Sequence, residues 1–305
     1  MTYRTGLIVA VLSVAGLVAS PTAGVAIDAK AAGPAPVAFT RNGDLFTLRL
    51  GGGVRRVTDT AALERMPAWA PDHRRLAFVA WERRLLWLDT HAGVRHDIVR
   101  VPARFEGIDA VAWSPDGRRL AFSTTRDAGG RFFRLCGQVW LVRPDGGGLV
   151  RILGGQEPVT GLGWSPDGRR LFASSEFPNG TEECQKGVRQ GVLRFRADGS
   201  HLSVVRDTAA SQLDVASNGR HIVYRGWLRT CHACGEIWKI RVGGHHAHVI
   251  AMPPHRTYGL YQPRFSPSGR RVVVLAGGAR RGVWIVRSDG SHLHRVLGGV
   301  DWVDW

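Results

Sequence analysis

Four cysteines are the residues of this 305-residue chain whose spacing most directly suggests chemistry. In an oxidising compartment they predict two disulfides, with Cys136 joined to Cys184 and Cys231 joined to Cys234 as the favoured pairing. The Cys-x-x-Cys spacing of the second pair also fits a zinc site built from all four thiolates. Four free thiols are the third alternative, so the chemistry of these residues stays open at this point.

A second set of polar and aromatic residues falls between predicted strands, where their side chains could bind a ligand. The alternative is that they are loop residues that satisfy one another or water. No pair of general acid and base can be assigned from spacing, so no catalytic residue is predicted. The candidate ligand-binding residues are Glu64, Arg65, Glu106, Asp109, Glu157, Asp214, Arg256, Tyr258, Tyr261 and Asp301.

The histidines invite a metal interpretation, most of all His245, His246 and His248. They fall in a turn and the strand after it, and no carboxylate cluster accompanies them. Such a position is poor evidence for a metal site, so neither a metal ion nor another cofactor is predicted.

A repeated segment decides the fold that must hold these residues. It reads Trp-Ser-Pro-Asp-Gly-Arg-Arg-Leu-Ala-Phe at Trp113–Phe122, and related copies follow Trp69, Trp164, Leu213 and Pro263. The spacing of roughly 44 to 51 residues is typical of propeller blades. Ser-Pro-Asp-Gly favours a tight turn between two strands, because Pro fixes φ and Gly accepts a positive φ.

A second repeated series, such as Val139–Val142 and Val283–Val286, predicts the third strand of each blade and occurs six times. The first strand occurs five times, and Val300–Trp305 supplies the missing sixth copy. Because Val37–Thr40 resembles a second strand, the chain is expected to close the ring by pairing its last strand with its first. The sequence therefore predicts an all-β, six-bladed propeller of four-stranded blades.

The repeated tryptophans are expected to pack between blades, with ligand stacking as the alternative. The strand order sorts the connections onto two faces. One face receives three long insertions, residues 124–137, 174–191 and 225–236, together with the mouth of the central channel. The other receives a ring of arginines, which could dock an anionic polymer or membrane or simply form a solvated face. These are Arg74, Arg75, Arg118, Arg119, Arg169, Arg170, Arg220, Arg270 and Arg271.

The repeat at Trp113–Phe122 resembles the WD40-like propeller repeat of the TolB family, over residues 36–305. The resemblance implies a propeller without the α/β domain that precedes it in TolB. Relatives of the peptidase type carry a Gly-x-Ser-x-Gly nucleophile elbow, which this sequence lacks. The resemblance therefore implies a binding or scaffolding module and does not transfer a partner.

The first residues predict export. Arg4 precedes an apolar stretch, residues 6–19, and Gly24–Ala26 fits a cleavage site. The expected organisation is a signal peptide at 1–26, a linker at 27–35 and the propeller at 36–305, with an uncleaved anchor helix as the alternative. The product would be secreted or held in the cell envelope.

The net charge of +16 and the pI near 11.1 suit an anionic surface, although a general bias towards arginine would give the same charge. The leading hypothesis is a monomeric, non-catalytic propeller that binds a protein or an anionic cell-envelope component through its loop-rich face. Peripheral association with the envelope is expected, and nucleic acid is not, because no motif for reading bases accompanies the charge. The alternatives are a polysaccharide lyase or hydrolase acting at the channel mouth, and a structural module of an envelope complex.

Overall fold

The computed structural model describes residues 35–127, 135–156, 158–175, 191–227 and 235–305. These residues form six four-stranded antiparallel sheets, which confirms the predicted all-β propeller. The predicted signal peptide, nearly all of the linker, and Glu157, Cys184, Cys231 and Cys234 lie outside the described residues. No helix of the described part is long and apolar enough to cross a membrane.

The strands alternate with short connections along the chain. They are β1 (Val37–Arg41), β2 (Asp44–Leu48), β3 (Val54–Arg56), β4 (Glu64–Trp69), β5 (Arg75–Ala80), β6 (Arg84–Asp89), β7 (Arg95–Arg100), β8 (Gly107–Trp113), β9 (Leu120–Asp127), β10 (Leu135–Val142), β11 (Val150–Gln156), β12 (Val159–Trp164), β13 (Arg170–Ser175), β14 (Gly191–Arg196), β15 (Ser203–Arg206), β16 (Ser211–Val215), β17 (His221–Trp227), β18 (Gly235–Arg241), β19 (His248–Ala251), β20 (Leu260–Phe265), β21 (Arg271–Ala276), β22 (Gly282–Arg287), β23 (His294–Gly298) and β24 (Trp302–Asp304).

The ring is closed by the last strand. Blade 1 has the order β24-β1-β2-β3, and blades 2 to 6 use the remaining strands in sequence, four to a blade. The closing register pairs Ala38 with Asp304 and Thr40 with Trp302. This confirms the predicted closure, which pairs the inner edge of β1 and gives blade 1 the four strands of the other blades.

The turn after each first strand follows from its residue types. In blade 3 the Gly117 amide donates to the Ser114 carbonyl at 2.8 Å, and the Arg118 amide donates to the Asp116 carboxylate at 3.0 Å. Gly117 has a φ of 65°, in the left-handed region that glycine tolerates best. Blade 2 places His73 at the same position, with a φ of 50°.

The repeated tryptophans of the first strands pack between blades, as predicted. The indole of Trp113 is 7% exposed and donates across the blade boundary to the Ala68 carbonyl at 3.1 Å. The indole of Trp164 donates in the same way to the Ala112 carbonyl at 3.2 Å. Each ring therefore fixes one blade against the one before it.

The predicted insertions are partly strand. The segment 124–137 was expected to be a loop, but β9 continues to Asp127 and β10 begins at Leu135, because their backbones keep pairing. Cys136 therefore lies in a strand; its side chain is 4% exposed and it is not a free thiol. Its partner is not among the described residues, so the pairing of the cysteines stays a prediction.

Candidate functional site

The described residues line a central channel that runs between the two faces of the ring. Two turns of a blade, from its first to its second strand and from its third to its fourth strand, lie on the same side of the ring. We call this side the turn face. Its members include Asp116–Gly117 and Asp145–Gly146. The opposite side, which carries the connections between blades, is the loop face. The innermost strand of each blade, β24, β4, β8, β12, β16 or β20, forms the channel wall.

One position of the channel wall recurs in all six blades. It precedes the last residue of the first strand in blades 2 to 6 and is the last residue of β24 in blade 1, and in every blade it occupies the same register with the second strand. Three consecutive blades have small residues there and the other three have charged ones, so the wall is charged on one side only. In order around the ring the residues are Asp304, Ala68, Ala112, Gly163, Asp214 and Arg264.

The three charged residues form a connected group. The Arg264 Nε donates to the Asp304 carboxylate at 3.1 Å, and its Nη1 donates to the Leu213 carbonyl at 3.1 Å. The Asp304 carboxylate also accepts the Trp69 amide at 2.8 Å, and that of Asp214 accepts the Phe265 amide at 2.7 Å. All three charged side chains line a cavity of about 350 Å³ that reaches the turn face.

Burial governs the protonation of this group. It raises the pKa of Asp304 to about 7, because removal from water outweighs the attraction of Arg264, and neighbouring Asp214 acts in the same direction. Burial also raises the pKa of Asp214, again against the attraction of Arg264. Asp214 was predicted from the sequence, whereas Arg264 and Asp304 were not, although an alignment of the six repeats shows the charged residues at this position.

A second cavity of about 210 Å³ lies towards the loop face. Its wall includes Asp109, which was predicted there, and Gln212 and Gln262. The backbone amide of Gln262 donates to the side-chain oxygen of Gln212 at 3.0 Å, and the backbone amide of Val303 donates to the side-chain oxygen of Gln262 at 2.9 Å. The two glutamines therefore tie blades 5, 6 and 1 together at the channel mouth.

Asp109 is the predicted acid that lines this second cavity. Its carboxylate accepts the Thr125 hydroxyl at 2.7 Å. Burial raises its pKa to about 6, with Glu106 adding to the rise and Thr125 and Arg65 opposing it. Glu106 itself is exposed, and Arg65 pairs with Glu82 at 3.3 Å.

Two other predicted acids have structural partners. Glu64 is 2% exposed and lines neither cavity; its carboxylate accepts hydroxyls from Thr58 and from Thr60, the latter at 3.1 Å. Asp301 is exposed and forms an ion pair with Arg281. The expectation that Glu64 faces the channel mouth is therefore not met, because its side chain turns into the seam between blades 1 and 2.

The remaining predicted residues lie around the connection from blade 5 to blade 6. Tyr258 is 71% exposed and Arg256 is also exposed. Tyr261 is half-buried, with the Arg225 guanidinium 4.5 Å from its ring centre; the same guanidinium lies 3.8 Å from the ring centre of Trp227.

An exposed apolar pair on the loop face was not predicted. Trp81 is 54% exposed, Leu63 is 56% exposed, and the Trp81 amide donates to the Leu63 carbonyl at 3.2 Å. Trp81 and Glu82 have φ values of 46° and 65°, a left-handed backbone that bulky residues rarely adopt. The combination of strain and exposure could not be read from the local sequence, which shows only an isolated Trp-Glu-Arg.

Within the described ranges, no three histidine, cysteine or acidic side chains come together in a way that could hold a metal ion. The site is therefore described by three features: the charged channel wall, the Asp109 mouth, and the apolar pair Leu63 and Trp81.

The chain matches the family model "WD domain, G-beta repeat" over residues 147–176. No curated protein matches it. Among solved structures, TolB from Acinetobacter baumannii is similar, with a TM-score of 0.70 and 16% identity. The match covers 89% of this chain and 66% of that TolB, so this chain spans just under two thirds of its length. A putative TolB from Agrobacterium tumefaciens has a TM-score of 0.65 and 19% identity, covering 88% and 91%. An oligogalacturonate lyase in complex with manganese has a TM-score of 0.60 and 17% identity, covering 84% and 70%. These similarities show a TolB-like, WD40-like propeller fold.

Proposed function

We propose that this TolB-like propeller is an exported, non-catalytic binding module that engages a protein of the cell envelope through its loop face. The observation that carries the proposal is Trp81, an aromatic side chain held exposed on a left-handed backbone beside the exposed Leu63. Strained backbone of this kind costs about 1–3 kcal/mol and is found mostly where function requires it. Exposed tryptophans are also frequent anchors of protein interfaces.

The distribution of exposed apolar side chains supports the same face. Met252 is 50% exposed and Tyr258 is 71% exposed, and both lie on the loop-face connection between blades 5 and 6. With Leu63 and Trp81 they give this face two apolar positions on different blades. A partner that covers both would surround the channel mouth.

Export rests on the predicted signal peptide at residues 1–26, and two disulfides would suit the oxidising compartment that follows. The TolB structures of similar fold are in keeping with a module of this kind. The proposal therefore includes removal of the first 26 residues and peripheral residence at the envelope.

A photo-crosslinking amino acid at position 63 tests the proposal in the native host. We expect a discrete crosslinked protein, and we expect an added Trp81→Asn substitution to abolish it. Asn is favoured over Trp on a left-handed backbone, so the Trp81→Asn variant should melt at the same temperature as the parent or above it. The matched control places the crosslinker at Leu149, which is 46% exposed on the turn-face side of blade 3.

Failure to find a product at position 63, or a product that survives Trp81→Asn, would contradict the proposal. The same product at positions 63 and 149 would also contradict it, because contact would then not be confined to the loop face.

An enzyme acting on polysaccharide is the second candidate, favoured by Asp109. A carboxyl group with a pKa of about 6 at a cavity mouth has the acidity that proton transfer near neutral pH requires. The oligogalacturonate lyase of similar fold keeps this candidate open. Glycan turnover that disappears in an Asp109→Asn variant would replace the binding proposal with this one.

A further inference from the structure

The turn face changes its charge from one side of the ring to the other. In blades 2, 3 and 4 the turn between the first two strands carries an aspartate, and so does the turn between the last two. Blade 5 has Asn218 in the first turn and no acid in the second, and blade 6 has Ser268 and Asp289. Blades 5 and 6 therefore keep the basic residues of the repeat while losing most of the acids that accompany them elsewhere.

Five exposed arginines occupy these two blades on the turn face, and we call them the basic patch. None of them forms an ion pair with any residue that the structure describes. The basic patch consists of Arg220, Arg241, Arg270, Arg271 and Arg287.

Arginines on the other side of the same face have acidic neighbours in their own turns. The charges of Arg118 and Arg119 act on Asp116, and those of Arg169 and Arg170 act on Asp167, although none of these four forms an ion pair with a described residue. Three others form ion pairs. Arg74 pairs with Asp89 at 2.8 Å, and Arg75 pairs with Asp72 at 2.7 Å. Arg143 pairs with an aspartate of its own turn at 3.2 Å. The basic patch is therefore set apart by the scarcity of its carboxylates, since Asp289 is the one acid in the turns of blades 5 and 6 on this face.

His221 reports the field within the patch. Its pKa is lowered, first by burial and then by the positive charges of Lys239, Arg241, His248 and Arg220. A half-buried imidazole whose pKa is lowered by four basic neighbours indicates a region of positive potential.

Two contacts hold the blades that carry the patch in a fixed relation. The Ser217 hydroxyl of blade 5 donates to the Pro267 carbonyl of blade 6 at 2.8 Å, and the Lys239 ammonium donates to the Ser288 carbonyl. The arginines are therefore presented on a rigid frame, which lowers the ordering cost of binding.

The patch lacks the apolar side chains that insert into a bilayer and the aromatic rings on which bases stack. The exposed large apolar side chains of the described chain are Val54, Leu63, Trp81, Val94, Leu149, Val150, Met252 and Tyr258, and none lies on the turn face of blades 5 and 6. Insertion into a bilayer interface requires such side chains, and bases of single strands stack on exposed aromatic rings. Guanidinium groups alone suit carboxylate or phosphate groups.

We propose that the basic patch on the turn face of blades 5 and 6 binds an anionic polysaccharide, at a surface separate from the protein-binding loop face. Successive acidic groups along such a polymer would meet arginines from both blades. Because the partner is held by charge, affinity falls as ionic strength rises.

The test uses a fluorescently labelled oligogalacturonate as the probe, with anisotropy measured at low and physiological salt. A triple variant, Arg220→Ser with Arg241→Ser and Arg287→Ser, is expected to weaken binding about tenfold, the effect of three partly exposed charge contacts. The control variant, Arg118→Ser with Arg143→Ser and Arg169→Ser, removes the same charge from blades 3 and 4 of the same face. It is expected to weaken binding less than about twofold.

Several outcomes would overturn the proposal. Equal losses in the two variants would mean that the probe senses overall charge only. A labelled oligonucleotide of equal charge that binds more tightly than the glycan would make the partner a nucleic acid, and tighter binding to phosphatidylglycerol vesicles would make it a lipid surface. As a structural readout, the bound glycan should raise the pKa of His221 measured by NMR, because a nearby anion favours the imidazolium.

Discussion

At the scale of single residues, the channel wall holds three charged side chains in a place where burial of charge is unfavourable. Asp214, Arg264 and Asp304 are largely buried and lie next to one another, and they form hydrogen bonds with the strands on either side. An ion pair in such a place need not stabilise the fold, because the cost of burying charge offsets the attraction. The raised pKa of Asp304 indicates that burial is the larger effect here.

This imbalance makes stability depend on pH. A carboxyl group with a higher pKa in the folded chain than the ordinary 3.8 binds its proton more tightly when folded. Its contribution is complete below about pH 4 and is lost as pH rises to about 7, where Asp304 ionises. The loss is at most about 1.4 kcal/mol per pH unit for one group.

The Asp304→Asn variant is expected to remove part of this dependence. It carries no ionisable group at the position, so its free energy of unfolding relative to wild type should rise between pH 5 and pH 8. Urea unfolding at these pH values measures the difference. Asp97→Asn is the control, since Asp97 is 66% exposed and pairs only with Arg84 at the surface.

Parallel pH profiles for wild type and Asp304→Asn would show that attraction to Arg264 cancels the burial of this carboxylate. Any remaining decline would then come from Asp109, whose pKa is raised to about 6, and from Asp214 and Glu64, whose pKa values burial also raises.

At the scale of strands and blades, an arginine and a tryptophan join neighbouring units. The Arg75 guanidinium lies 4.8 Å from the ring centre of Trp113, and that of Arg119 lies 5.1 Å from the ring centre of Trp164. Both arginines end the Asp-Gly-Arg-Arg or Asp-His-Arg-Arg run of one blade, and both tryptophans end the first strand of the next. Two of the arginines on the turn face, Arg75 and Arg119, therefore stabilise the packing of neighbouring blades.

The repeat offers its own control for this contact. Arg170 occupies the place of Arg119 one blade later, but the blade after it has Val215 where a tryptophan would stand. Arg119→Ala is expected to lower the free energy of unfolding by about 0.5–1 kcal/mol through the lost cation–π contact. Arg170→Ala should change it by less than about 0.5 kcal/mol.

Urea denaturation of the two variants beside wild type measures the difference. Similar values for Arg119→Ala and Arg170→Ala would show that the ring contact contributes nothing beyond the aliphatic stem of the side chain.

Strand order was accessible from sequence because each blade repeats the same local chemistry. Trp302–Trp305 could be assigned to blade 1 since it carries the aromatic that ends other first strands, and β24 pairs with β1 as expected. The extent of β9 and β10 was not accessible, because continued backbone pairing to Asp127 and Leu135 depends on the partner strand and leaves little pattern in the residues themselves.

At the scale of the whole molecule, the predicted site was only partly recovered for a geometric reason. Asp109 and Asp214 do line the channel, because strand alternation points them inward. Glu64 does not, since it begins β4 with its side chain directed at Thr58 and Thr60. A β-bulge, such as the one between Arg65 and Ala68, changes which residues at the end of a strand face the channel. The positions of these bulges could not be predicted from the sequence.

The ring places its two proposed surfaces on opposite sides. Strands β5 and β21 each contain six residues, so at about 3.3 Å per residue the faces are about 20 Å apart. Charge on one face is screened over about 8 Å at physiological ionic strength. The basic patch should therefore have little electrostatic influence on a partner at Trp81, and neither surface should occlude the other.

Independent occupancy of the two faces follows from this separation. With the crosslinker at position 63, a saturating concentration of oligogalacturonate should leave the yield of the crosslinked protein unchanged. The Arg220→Ser, Arg241→Ser and Arg287→Ser variant should give the same yield as its parent, because its substitutions lie on the turn face. A yield that falls as glycan is added, and recovers in that variant, would mean that the ring transmits binding from one face to the other or that a single partner spans both.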